Sequence, residues 1–272
     1  MSEYEDILLK QEKGQDSSCK SCSKEPVTRI NVKRFILSLD ECFKKNDLQK
    51  VKKVVTFWEK EAIALDDKSG LITILNEELG LYRNLKDEDN GLITASRVLS
   101  LLKENNFGES FSIATIYVNL ATTLKAFNHL QEAITNYDKA ENIFNKLNAK
   151  NTFEYASLLN NKSATLIELK EYNTAEDCLR FAIEILKNLN AYDVEVALSF
   201  VSLAHLYYEN GNEDKIDDML DTAWEYINSP RQKRDENYAF VLSKCVPSYS
   251  FFKRDLEAKA LKETIDEIYN KG

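Results

Sequence analysis

The stretch Tyr117-Val-Asn-Leu120-Ala121-Thr-Thr-Leu124, followed by Ala133, Tyr137 and Ala140, carries the pattern that decides the fold. Forty-two residues after Ala121, Ser163 is followed by Leu166, Ala175, Leu179 and Ala182 at matching offsets. Forty-one further on, Ala204 is followed by Tyr207, Ile216, Leu220 and Ala223. Stepping back 41 from Ala121 reaches Gly80, preceded by Leu79, and another 41 reaches Leu39, with Cys42, Val51, Val55 and Trp58 behind it. A small residue twelve places before another lets two antiparallel helices approach where they cross. The apolar residues at the third, sixteenth and nineteenth places fill the seam with the neighbouring pair. No pair buries its apolar face alone, so stacking supplies the core.

Composition agrees with helices in tight succession. The 272 residues hold 7 Gly and 3 Pro, and no proline interrupts the chain between Pro26 and Pro230. A chain of this length either splits into domains or elongates as an array. The sequence therefore predicts an all-α solenoid of about six antiparallel helix pairs over residues 30–272, best formed over 114–227 and capped by helices over 237–270. Residues 1–29 read as a flexible lead-in. Within the second unit the register stays open. Either Leu92 and Leu99 take the small positions, or a slip of three residues brings in Ala95 after a longer Lys86–Gly91 loop.

This spacing resembles the tetratricopeptide repeat in the 41–42-residue form of kinesin light chains. Leu159-Asn-Asn-Lys-Ser-Ala-Thr-Leu166 and Ser202-Leu-Ala-His-Leu-Tyr-Tyr208 are similar to that family's first helix, and Asn173-Thr-Ala175-Glu to its second. The resemblance implies a right-handed superhelix whose first helices line a concave groove. It also implies a role in holding a protein or an extended peptide. Peptide receptors of the family place an asparagine two residues before the small position, where its amide bonds a ligand backbone on both sides. Asn119 and Asn161 stand there, with Asn160 adjacent, while the second unit has Glu78 and the fifth Ser202. Leu81, Thr122, Ala164 and His205 follow the small positions, and Lys125 and Tyr208 lie a turn further on. The expected peptide contacts are thus Asn119, Thr122, Lys125, Asn160, Asn161, His205 and Tyr208. The family's two-carboxylate clamp for chaperone tails is not reproduced, since its places hold Thr115, Ser157 and Leu198. Lys162 stands where Leu79, Leu120 and Leu203 stand in sister units. Its stem either snorkels its charge to water or delivers it to the groove.

Other chemistries fit poorly. The formal charge of −9 disfavours nucleic acid. No run of 18 apolar residues suggests a membrane span, and the N-terminal residues lack a signal-peptide pattern. Five scattered cysteines suit a reducing, cytoplasmic setting. The GxxxxGK phosphate loop is absent, and His129 and His205 have no recognisable triad partners in sequence. No cofactor or enzymatic role is expected. Cys19-Lys-Ser-Cys22 offers half of a zinc or redox site without a second half. Charge is uneven: eight basic residues against three acidic lie between Arg29 and Lys53, and seven acidic against Lys215 alone lie from Glu209 to Glu225. Solvated outer faces explain this, and weak end-to-end self-association or a basic partner at the fifth unit is the sharper reading. A peptide-sensing regulatory subunit of a bacterial signalling system is the alternative to a plain adaptor.

Overall fold

The computed structural model describes residues 28–44 and 47–271. Those residues form twelve α-helices and no strand: α1 (Val32–Lys44), α2 (Leu48–Ala64), α3 (Lys68–Leu85), α4 (Glu88–Glu104), α5 (Phe111–Ala126), α6 (Leu130–Lys146), α7 (Phe153–Glu168), α8 (Tyr172–Leu189), α9 (Asp193–Glu209), α10 (Ile216–Ile227), α11 (Glu236–Phe251) and α12 (Asp255–Lys271). The lead-in with Cys19 and Cys22 lies outside the described residues. The chain divides into two compact units, one ending at Gly70 and one starting at Leu71.

Local chemistry sets the helix boundaries. Ser110, Thr152 and Asp235 cap α5, α7 and α11, each side-chain oxygen accepting from the backbone N–H three residues on at 3.1–3.3 Å. That satisfies one of the donors a helix start leaves orphaned. The first helix of each pair in the second unit ends in a residue with left-handed backbone: Lys86, Asn128, Lys170, Gly211 and Lys253, 42, 42, 41 and 42 residues apart. The turns at these places share one hydrogen-bond pattern. At Asn128, its own N–H reaches the Lys125 carbonyl at 3.0 Å, and the His129 N–H reaches the Leu124 carbonyl at 2.8 Å. Two orphan carbonyls are so paired, and the chain reverses in a fixed geometry.

In the first unit, Val51, Val54, Val55 and Trp58 of α2 are buried. Phe35 of α1 meets Trp58 edge-to-face with ring centroids 6.3 Å apart. Asp67 ties the unit together, accepting from the N–H groups of Ile30 at 3.0 Å and Gly70 at 2.9 Å.

The second unit carries the main core. Ala121, Ala133, Ala140, Ala175, Ala182, Ala204 and Ala223 are fully buried, as the close crossing of paired helices requires. Tyr137, Leu179 and Leu220 fill the seam between them. Pairing is direct within α5–α6, α7–α8, α9–α10 and α11–α12, and α8 packs on α9. An all-α solenoid of stacked helix pairs results, as the spacing predicted.

Two expectations need correction. In the degenerate second pair, Gly91, Ala95 and Val98 of α4 are buried, and Leu92 and Leu99 are only half-buried. Neither open register holds; the interval to Ala133, Tyr137 and Ala140 is 42 residues. The small position of α3 is accordingly taken by Leu79, fully buried, and not by Gly80. The same shift moves Glu78 from the groove into the seam. It accepts from Thr94 at 3.3 Å and pairs with Arg97 at 3.7 Å. Leu81 is likewise buried.

Gly91 shows how tight that crossing is. A Cβ there would lie 2.3 Å from Cε2 of Phe127. Alanine gains about 1 kcal/mol of helix propensity over glycine, but displacing the ring costs about 1–3 kcal/mol. Gly91→Ala is expected to lower stability by about 1 kcal/mol net, and adding Phe127→Leu to recover it. Thermal unfolding of both variants checks this, and a Gly91→Ala protein more stable than wild type would show the ring yields freely.

Candidate functional site

The first helices of successive pairs in the second unit place the predicted contact residues in two groups. Asn119 of α5 donates its amide to Asn76 Oδ1 of α3 at 2.9 Å, and Asn76 donates onward to Glu77 at 3.2 Å. Thr122 bonds the Val118 carbonyl at 2.8 Å and shares a hydrogen with the Tyr137 hydroxyl at 3.0 Å. Asn161 turns its amide back to the Ser157 carbonyl of its own helix at 3.0 Å. The two register-matched asparagines therefore hold their amides differently. Asn160 buries its Oδ1 without a hydrogen bond among the described residues.

The second group surrounds an open cleft of about 390 Å³ between α7 and α9. Ala164, Ile167 and Glu168 form one wall and Ser202, His205 and Glu209 the other, with Lys170 and Tyr172 at the turn. Ala164, Ser202 and His205 are among the inner-face positions read from the sequence. Lys125 reaches in from α5 and pairs with Glu168 at 2.6 Å.

His205 Nε2 lies 2.8 Å from Ser248 Oγ of α11, and its ring is 4.9 Å from Phe252 and 5.6 Å from Phe251. Burial holds its pKa below the ordinary 6.5, against the opposing pull of the Glu209 charge, so the ring is neutral at pH 7. Tyr208 meets Phe251 at 5.0 Å with the rings perpendicular, and both are well exposed. Ser248, Phe251 and Phe252 were missed from the sequence. They lie beyond the quoted registers, although Phe251 follows Glu209 by one repeat of 42.

Lys162 enters neither groove nor water. Its ammonium is bonded to Asp138 and Glu141 of α6, at 2.7 Å each, and its side chain is only 13% exposed. The expectation failed because the preceding pair supplies carboxylates where a leucine would meet apolar surface. The half-buried Cys178 and buried Cys245 thiols are poor nucleophiles. Burial is the main cause in both, raising Cys178 to about 11 and Cys245 to about 12. Among the described residues no group of three or more His, Cys, Asp or Glu side chains is placed to hold a metal ion. No described helix is long and apolar enough to cross a membrane.

With this geometry in hand, the likeness to solved structures is informative. BtubC (BKLC) from P. vanneervenii superposes with a TM-score of 0.63 at 22% identity, over 72% of this chain and 79% of that one. The apo form of RapI gives 0.64 at 15% identity, over 89% and 84%. A Rap protein complexed with competence and sporulation factor gives 0.54 at 15%, over 87% and 74%. The fold is a tetratricopeptide-like repeat solenoid. No protein-family profile matches the sequence, and no curated protein does. At these identities the likeness defines the architecture of the solenoid, and its binding chemistry has to be argued from its own side chains.

Proposed function

We propose that the solenoid is a non-enzymatic scaffold that holds an extended segment of a partner protein or peptide along its first helices. The observation that carries this reading is the cleft between α7 and α9. Its wall residues Ala164, Ser202 and His205 occupy the inner-face register, and its volume of about 390 Å³ suits one or two side chains. Asn119, Thr122, Lys125, Asn160, Asn161 and Tyr208 extend the contact surface on either side. Glu168 and Glu209 give polar anchor points beside the apolar Ala164 and Ile167. Hydrogen-bonding side chains outnumber apolar ones along this lining, which suits an extended segment held through its backbone and polar groups.

The test is selection of binders from a random-peptide library on wild type, with Ala164→Phe as the filled-cleft variant. Recovered peptides are expected to bind the variant at least about tenfold more weakly, because a phenyl ring displaces a ligand side chain from its slot. Equal binding to both proteins would remove the cleft from the argument.

A peptide-sensing role is the second reading. The factor bound in one Rap neighbour favours it, since that likeness extends over 87% of this chain. Small-angle scattering with and without a selected peptide separates the two. A changed profile indicates a sensor whose pitch responds to ligand, and an unchanged one a rigid adaptor.

A further inference from the structure

Beside the cleft, three aromatic rings form a partly exposed corner, with the His205 ring against two of them. Tyr208 and Phe251 stand at 90° with centroids 5.0 Å apart, Phe251 and Phe252 at 84° and 5.0 Å, and Tyr208 and Phe252 at 78° and 6.0 Å. Tyr208 is 42% exposed and Phe251 52%, so this is surface and not core. Glu209 follows Tyr208 directly, lines the cleft, and lies close enough to His205 for its charge to act on that ring.

Other aromatic rings of this solenoid are covered by the chain's own lysines. Lys139 sits over Tyr117 at 5.5 Å, Lys187 over Tyr226 at 5.8 Å, Lys215 over Tyr207 at 4.8 Å and Lys244 over Phe240 at 4.3 Å. Among the described residues no cation is so placed over Tyr208, Phe251 or Phe252. Of the two cleft carboxylates, Glu168 is neutralised by Lys125, whereas Glu209 has no ion pair among the described residues. Lys170 also lines the cleft, at the turn after α7.

We infer that the corner of Tyr208, Phe251 and Phe252 beside Glu209 binds a cationic side chain, an arginine or lysine of the held segment. This deepens the proposed function and rests on it for the identity of the ligand as a peptide. The faces of aromatic rings are negative, and a cation over them is attracted most when partly desolvated. An apolar occupant would strip water from Glu209 and return nothing to it. A guanidinium stacks on a ring while donating to a carboxylate, so it satisfies both walls at once.

The inference is tested on the full chain with two probes: Nα-acetyl-arginine methylamide and its neutral citrulline counterpart, followed by chemical-shift titration of backbone amides. The arginine probe is expected to shift Tyr208, Glu209, Phe251 and Phe252, and to bind at least about fivefold more tightly than citrulline. Glu209→Gln and Phe251→Leu, both at exposed positions, are each expected to erase most of that preference. Equal response to both probes, or shifts centred instead on the acidic run Asp217–Asp221, would overturn the inference. The outcome is separable from that of the library selection. A protein that selects peptides through the cleft yet treats arginine and citrulline alike loses only the cation corner. One that prefers arginine but shows no effect of Ala164→Phe keeps the corner and loses the cleft.

Discussion

Lys162→Met is expected to destabilise the protein by about 1–2 kcal/mol, because it takes the cation away from the partly buried Glu141, while the half-exposed Asp138 is left to water. The ammonium bridges Asp138 and Glu141 at 2.7 Å each, and Glu141 also accepts from the buried Tyr155 hydroxyl at 2.9 Å. Burial alone would lower the lysine pKa. The hydrogen bonds to Asp138 and Glu141 outweigh it, and the pKa ends above the ordinary 10.5. The lysine's contribution is therefore complete below that unfolded value and fades as pH climbs through the higher native one. Methionine matches the leucines of sister units in apolar character, so the loss comes from the stranded charge and not from a cavity. Lys162→Met/Glu141→Gln should accordingly recover about half of it, since glutamine still accepts from Tyr155. Urea unfolding of the single and double variants measures both values. A single variant as stable as wild type would mean that the ion pair adds nothing over apolar packing. The cluster joins α6 to α7, across the boundary between helix pairs. Its loss should also broaden the transition, as coupling between neighbours in an array weakens.

The second large effect is expected above pH 10. Tyr155 and Tyr249 are almost fully buried, and their hydroxyls are held by Glu141 and by the Leu220 carbonyl. Burial is the main cause that pushes both pKa values well above the ordinary 10.0. In the unfolded chain these phenols ionise near 10, while in the native protein they keep their protons. The unfolded state thus binds fewer protons, and stability falls as pH rises. By pH 12 the loss is about 2–3 kcal/mol for each hydroxyl. A Tyr155→Phe/Tyr249→Phe protein starts somewhat less stable at pH 8, having lost two hydrogen bonds. Its decline between pH 10 and 12 should be distinctly shallower. Urea midpoints across that range decide the matter, and parallel curves for the two proteins would refute the assignment.

The architecture was legible because burial repeats with the residues. Ala121, Ala133, Tyr137 and Ala140 stand out as a small–small–large–small series, and all four are buried in the seam. The second pair was hard to place because Leu79 fills a position that elsewhere holds alanine or serine, and Gly80 beside it offered a misleading small residue. The burial of Gly91, Ala95 and Val98, with Gly91 tight against Phe127, fixes that register. The turn residues Lys86, Lys170 and Lys253 were also opaque, since lysine carries no signature of left-handed backbone. At the site, the inner-face positions Ala164, Ser202 and His205 followed from the repeat register together with the family resemblance it carries. The aromatic corner did not, because it joins α9 to residues some 43 places later, a contact that only stacking of the last pair creates.

The left-handed turns at Asn128 and Lys170 have a consequence for how such a chain can lengthen. The segment 129–170 starts and ends just past the same backbone reversal, so its two ends are interchangeable as junctions. A tandem copy spliced in at Asn128 would meet, at each new seam, a turn the chain already makes. Growth by gene duplication in cassettes of 42 residues therefore requires no new joint to be invented, only side chains that tolerate a repeated neighbour.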